Sequence, residues 1–218
     1  MAPVELPLPY DSAAAARHLS RADRRLARLI AAVGEPRLTL GELTSPCAAL
    51  GRSILYQQLH GKAAATIHGR LLAKLPGGTL TAPGLLALPE EELRACGVSA
   101  NKALALRDLA QKTLDGVVPE TAALLQLDDE EIVARLTQVR GIGRWTVEML
   151  LIFYLGRPDV LPLDDYGVRK GYARAFAKRG QDPDAMPSKA ELAAHGERWR
   201  PYRSLASWYL WRATELPT

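Results

Sequence analysis

Cysteine is nearly missing from this chain: Cys47 and Cys96 are the only two in 218 residues. They stand far apart, and neither has a His or Cys at ligand spacing. Counting alone therefore excludes a four-thiolate iron–sulfur cluster and a Cys/His structural zinc site. Both thiols are read as reduced and buried. Long apolar runs are missing too. The most apolar stretch, Val147 to Leu155, is interrupted by Glu148 and is too short to cross a bilayer. The N-terminus lacks the basic-then-apolar pattern of a secretory signal. The expectation is a cytoplasmic protein with no membrane partner. Charge of one sign is scarce as well: the formal net charge is +4 and the sequence pI about 9.2, which suits a polyanionic partner without requiring one.

What the sequence does have is apolar residues at helical spacing from end to end. Leu26, Leu29, Ile30 and Val33 form one such set, Ile54, Leu55 and Leu59 a second, and Leu104, Leu106 and Leu109 a third. No strand alternation stands out. Gly and Pro punctuate the pattern at Gly34-Glu35-Pro36, Pro76-Gly77-Gly78, Pro83-Gly84 and Gly156-Arg157-Pro158. The reading is an all-α protein of roughly ten helices joined by short connections. Residues 1–10, rich in Pro, are expected to form an arm. Residues 11–218 carry no low-complexity linker, so any two lobes must be interleaved in sequence.

The segment Leu136-Thr-Gln-Val139-Arg140-Gly141-Ile142-Gly143-Arg144-Trp145-Thr146 joins the end of one helix to the start of another through Gly-x-Gly. Glycines there permit positive φ and a close approach of backbone to a ligand. The second helix would direct its N-terminal N–H groups and the positive end of its dipole outward, which favours an anion such as a DNA phosphate. The alternative is a glycine-capped corner that only packs. Leu136, Val139 and Ile142, placed to lock the two helices together, favour a helix-hairpin-helix, expected over about residues 134–155. Further on, Val160-Leu-Pro-Leu-Asp164-Asp165-Tyr166-Gly167-Val168-Arg169-Lys170-Gly171 sets two acids where an apolar segment meets the next helix. One acid there is expected as an N-cap. Taken alone, the pair reads as capping before catalysis.

Taken in order, these motifs resemble the 3-methyladenine DNA glycosylase II branch of the helix-hairpin-helix glycosylase superfamily. The likeness runs from Leu26-Ala-Arg-Leu-Ile-Ala-Ala-Val33 through Ile54-Leu-Tyr-Gln-Gln-Leu59-His60-Gly-Lys-Ala-Ala-Ala-Thr-Ile67 and Gly97-Val-Ser-Ala-Asn-Lys102. It continues through the hairpin and the paired acids to Arg200-Pro-Tyr-Arg-Ser204. The resemblance implies two interleaved helical lobes flanking a cleft, in a compact form without the extra N-terminal domain of larger members. It also implies that Asp165 is the catalytic carboxylate, facing the reacting sugar, with Asp164 as the cap or a positioning residue.

Base excision from a duplex requires extruding the base. By the same resemblance, Leu59 or its neighbour His60 fills the gap, although from spacing alone Leu59 reads as core. Trp145 and Trp211 are expected to stack on the cationic lesion, with Tyr56 and Gln57 nearby, while Trp199 and Trp208 keep the core reading. Gly141, Gly143, Arg144 and Lys62 are the expected backbone contacts. Members that also cut the strand carry a Lys where this chain has Trp145, which argues for simple hydrolysis. The alternatives are a lyase using Lys102 or Lys170, and a DNA-binding protein in which Asp165 is only a cap. The expected partner is duplex DNA containing alkylated bases, bound by a monomer that needs no cofactor, with a monovalent cation conceivable at the hairpin carbonyls.

Overall fold

The computed structural model describes residues 8–41, 44–177 and 185–216. Among them are thirteen α-helices and no strand. In chain order these are α1 (Ser12–Ala22), α2 (Arg24–Val33), α3 (Pro46–Tyr56), α4 (Gly61–Lys74), α5 (Ala82–Ala87), α6 (Glu90–Ala95) and α7 (Ala100–Leu114). They continue with α8 (Thr121–Gln126), α9 (Asp129–Leu136), α10 (Arg144–Phe153), α11 (Tyr166–Phe176), α12 (Lys189–Gly196) and α13 (Arg203–Ala213). The excess over the expected number comes from α5, α6 and α8, six residues each. Helices of less than two turns cannot display a 3.6-residue period. Of the N-terminal arm, residues 1–7 lie outside the described residues.

The chain divides into two compact units, one built from both ends (Met1–Glu42 and Leu151–Thr218) and one from the middle (Leu43–Leu150). They are thus interleaved in sequence, and α10 begins in the middle unit and ends in the other.

In the unit formed by the two ends, α13 is the central element. Ser204 through Leu210 and Ala213 are all buried on it, the pattern of a helix surrounded by others rather than lying on a surface. Its buried hydroxyls are satisfied: Ser204 Oγ donates to the Arg157 carbonyl at 2.6 Å and accepts from Val160 N at 2.9 Å. Helix α11 packs on α13 through Gly171, where a Cβ would fall 1.8 Å from the Leu210 carbonyl oxygen. Only glycine permits that approach. At the α1–α2 junction, Asp23 caps α2 through Oδ1, bonded by Arg25 N and Leu26 N. Its Oδ2 meets His195 Nε2 at 2.6 Å and accepts from Trp199 Nε1 at 3.2 Å. Trp199 is fully buried and Trp208 nearly so, in keeping with the core reading.

The middle unit buries Leu50, Ile54, Leu55, Leu71, Leu85, Leu93, Leu106, Leu109, Ile132 and Leu136, together with both cysteine thiols. Burial pushes the Cys47 thiol up from its ordinary value. Leu104, counted in the apolar set of its helix, points outward instead; the buried residues of α7 are Ala103, Ala105, Leu106, Leu109 and Ala110.

Candidate active site

In the unit formed by the two ends, the chemistry centres on Asp165. Leu161 and Pro162 are buried just before it, and the turn closes with Asp165 N donating to the Pro162 carbonyl at 3.1 Å. Asp165 is then the N-cap of α11. Its Oδ1 accepts from Val168 N at 2.7 Å and also from the indole Nε1 of Trp211 at 2.7 Å. The carboxylate is 8% exposed, so rotation about its side-chain bonds would break two charge-assisted hydrogen bonds at once. Trp211 is fixed in turn by stacking on Phe153, with ring centroids 5.5 Å apart. A Cβ on Gly167 would lie 2.7 Å from Trp211 Cδ1 and 3.2 Å from Asp165 Oδ1, so the bare glycine leaves room for the indole to reach the acid.

Asp164 is not the cap. Its side chain is exposed and pairs with Lys189, while the buried Asp165 caps and also meets the indole. Of the adjacent acids, only the one following the closed turn can reach the first N–H groups of the helix. Trp211 therefore engages the candidate catalytic acid directly. Sequence reasoning missed Gly167, Gly171 and Phe153 as supports; the glycine pair four apart, one helical turn, was the legible signal for close packing.

The middle unit holds the other candidates. Tyr56 ends α3, Gly61 begins α4, and Gln57-Gln58-Leu59-His60 is the loop between them. Gln58 adopts φ +56°, the only positive φ at a non-glycine among the described residues, a conformation that costs an L-residue about 1–2 kcal/mol. Leu59 is 40% exposed, which removes the core reading that spacing suggested. His60 and Lys62 are exposed as well, and His60 makes no capping bond to α4. Tyr56 is half-buried, with Arg52 Cζ 4.2 Å from its ring centroid and His68 edge-on at 6.1 Å. Gln57 reaches the hairpin, its Nε2 donating to the Gly141 carbonyl at 2.8 Å.

In the hairpin itself, α9 and α10 are joined by a turn in which Leu136, Val139 and Ile142 are all buried. Ile142 N bonds the Val139 carbonyl, and the Gly143 carbonyl accepts from Thr146 N and Val147 N to open α10. Gly141 takes φ +78°, with room only for Ala105 beneath it. A Cβ on Gly143 would meet nothing within 4 Å, so the entrance to α10 is open. Trp145, on the first turn, is 45% exposed, too much for a core residue. Arg144 forms a two-pronged pair with Glu130 at 3.0 and 2.5 Å, which holds the Glu130 carboxyl below its ordinary value. Lys102 Nζ donates to the carbonyls of Leu55 and Gln57 at 2.6 and 2.8 Å, and partial burial lowers its pKa. Among the described residues, no group of three or more His, Cys, Asp or Glu could hold a metal ion, and no helix is long and apolar enough to cross a membrane.

Comparison with known proteins agrees with this arrangement of elements. The chain is 39% identical to DNA-3-methyladenine glycosylase 1 of Schizosaccharomyces pombe, over 91% of its own length and 86% of that protein. A solved structure of an S. pombe 3-methyladenine DNA glycosylase in complex with abasic DNA superposes with a TM-score of 0.78 at 39% identity, covering 93% of this chain and 97% of that one. A DNA-3-methyladenine glycosidase of Bacillus halodurans superposes with a TM-score of 0.81 at 31% identity, covering 98% and 92%. The model of the HhH-GPD superfamily of base excision DNA repair proteins matches residues 52–199, a span holding the loop after α3, the hairpin and Asp165. The chain belongs to the HhH-GPD superfamily of base excision DNA repair proteins.

Proposed function

We propose that this protein is a monofunctional DNA glycosylase that extrudes alkylated purines such as 3-methyladenine from duplex DNA and hydrolyses their N-glycosidic bond, with Asp165 as the catalytic carboxylate. The observation that carries the reading is the fixed, buried carboxylate of Asp165, held on one oxygen by Val168 N and Trp211 Nε1. The names of the relatives above, DNA-3-methyladenine glycosylases with one solved on abasic DNA, support the substrate.

As the glycosidic bond breaks, the deoxyribose gains oxocarbenium character, and a carboxylate already in place stabilises it without reorganising. Asp165 can also orient or deprotonate the attacking water. A base that is cationic before the bond breaks is a good leaving group, so no general acid is needed. Trp145, exposed at the start of α10, offers an aromatic face for such a cation, worth roughly 0.5–2 kcal/mol. Leu59, with His60 beside it, is the wedge, and the N–H groups around Gly141 and Gly143 take a backbone phosphate, with Lys62 adding charge. Arg144 contributes less while Glu130 neutralises it. A monovalent cation at the hairpin would be held by main-chain carbonyls. The enzyme works as a monomer in the cytoplasm with the chromosome.

One observation favours a second reading. Asp165 is a true helix cap, as a DNA-binding protein without catalysis would also have. A lyase using Lys102 is disfavoured because its amine is committed to two carbonyls.

The test is incubation of the purified protein with methylating-agent-treated duplex DNA, chromatography of released bases, and strand analysis before and after alkali. Release of 3-methyladenine with breaks only after alkali is the expected result. Binding without release overturns the enzymatic reading, and breaks before alkali or an adduct trapped by borohydride overturn the monofunctional one.

A further inference from the structure

Three contacts in the middle unit share one helix. On α7, Lys102 holds the carbonyls of Leu55 and Gln57 at the end of α3, where a helix leaves carbonyls without internal partners. Three residues along, Ala105 lies 3.6 Å from where a Gly141 Cβ would stand. Three further, Asp108 Oδ2 accepts from Arg140 N at 2.7 Å, and Lys112 holds Asp108 at 2.6 Å. Residues three apart follow one ridge of a helix. That ridge therefore touches the loop carrying Leu59 at one end and the turn carrying Gly141 at the other. Gln57 closes the circuit by donating to the Gly141 carbonyl.

We propose that α7 is a brace that fixes the wedge loop and the phosphate-holding hairpin in one register, with Lys102 as its positioning residue, so that gap-filling by Leu59 and capture of the backbone occur as one movement. The inference rests on the glycosylase reading above. A side chain pushed into a base stack is pushed back, and a loop held only by its own chain would yield instead of displacing the base. The positive φ of Gln58 is an unfavourable backbone state that persists only where neighbours hold it. Lys102, bonded to the Gln57 carbonyl, and the Gln57 side chain, bonded to Gly141, fix the residue just before it. The ammonium of Lys102 is partly desolvated, so its bonds to the two carbonyls offset a burial that would otherwise be unfavourable.

A brace for extrusion matters most when the base is hard to extrude. The test places a single 7-methylguanine opposite cytosine, opposite thymine, or opposite an abasic site, and compares single-turnover release by the native protein, Lys102→Met and Lys102→Arg. For Lys102→Met we expect a loss of tenfold or more opposite cytosine, shrinking to under threefold opposite the abasic site, where no pairing resists extrusion. Affinity for undamaged duplex should stay within twofold, and Lys102→Arg, which restores donors, should recover part of the loss. Gln57→Ala, which cuts the tie to Gly141 and leaves Lys102 in place, must reproduce the pattern, so that a folding defect in Lys102→Met cannot decide the matter. Equal losses in all three contexts, or none, overturn the brace while leaving the glycosylase reading intact. Failure of the native protein to release 3-methyladenine from methylated duplex, run alongside, overturns the glycosylase reading itself.

Discussion

Replacing Asp165 in two ways separates its chemistry from its structural work. Asparagine preserves an Oδ1 that accepts from Val168 N and Trp211 Nε1, as the carboxylate now does. Asn is as good an N-cap as Asp. What Asp165→Asn removes is the negative charge, worth about 0.3–1 kcal/mol at a helix N-terminus, so stability should fall by roughly 1 kcal/mol or less. The catalytic loss is far larger. A carboxylate about 4 Å from a developing cation, at an effective dielectric near 20, contributes about 4 kcal/mol, or about a thousandfold in rate. Asp165→Ala should lose the same catalysis and in addition the cap, about 0.5–2 kcal/mol. It also strands the Trp211 N–H, at a further 1–3 kcal/mol or so. Single-turnover release of 3-methyladenine from methylated duplex gives the rates, and urea denaturation gives the stabilities. The two variants should be equally inactive and unequally stable, with DNA affinity kept or improved in Asp165→Asn because a negative charge near phosphates has gone. A rate for Asp165→Asn within tenfold of native would refute the catalytic assignment, and equal stabilities would refute the capping and indole contacts.

Other expectations follow from the geometry. Gly171→Ala sets a methyl 1.8 Å from the Leu210 carbonyl oxygen, and forcing α11 off α13 should cost at least about 1–3 kcal/mol, read as a lower melting temperature. Gly143→Ala, whose Cβ meets nothing within 4 Å, should melt like the native protein yet bind duplex DNA more weakly, because the added methyl holds a phosphate off the α10 N-terminus. At Asp23, burial pushes the carboxyl up, but the bonds from His195, the main-chain N–H groups of Leu26 and Arg25, and Trp199 outweigh it, and the net shift is below the ordinary 3.8. A depressed folded-state pKa supplies stability above the unfolded value and loses it as pH falls through the folded one. Acidification below about pH 4 should therefore destabilise the native protein more steeply than Asp23→Asn in urea titrations. Glu130→Gln removes the nearer of two carboxylates paired with Arg144, leaving Glu148 at 3.8 Å, and duplex affinity should rise with a steeper salt slope; an unchanged slope would show that Arg144 does not reach a phosphate.

Much of this was legible in the sequence. The helical period of Leu26, Leu29, Ile30 and Val33 needs only local geometry. The hairpin is equally local, because Gly141 supplies a positive φ and Leu136, Val139 and Ile142 bury within the same short segment. The position of the paired acids before a helix was readable for the same reason. Long-range partners were not. Nothing in Asp164-Asp165 says which acid caps and which meets Lys189; the fold decides that by closing the turn at Pro162 and setting Trp211 against one of them. Spacing assigned Leu59 to a core, and Lys102 stood as an amine of the alternative lyase reading, whereas the structure exposes the leucine and commits the lysine to the end of α3. The sequence by itself determined the longer helices and the hairpin turn, because those preferences are settled by neighbours three and four residues away. Only the tertiary structure decided that Trp211 meets Asp165 and that Lys102 meets the end of α3, because those partners lie dozens of residues distant, where no periodicity reaches.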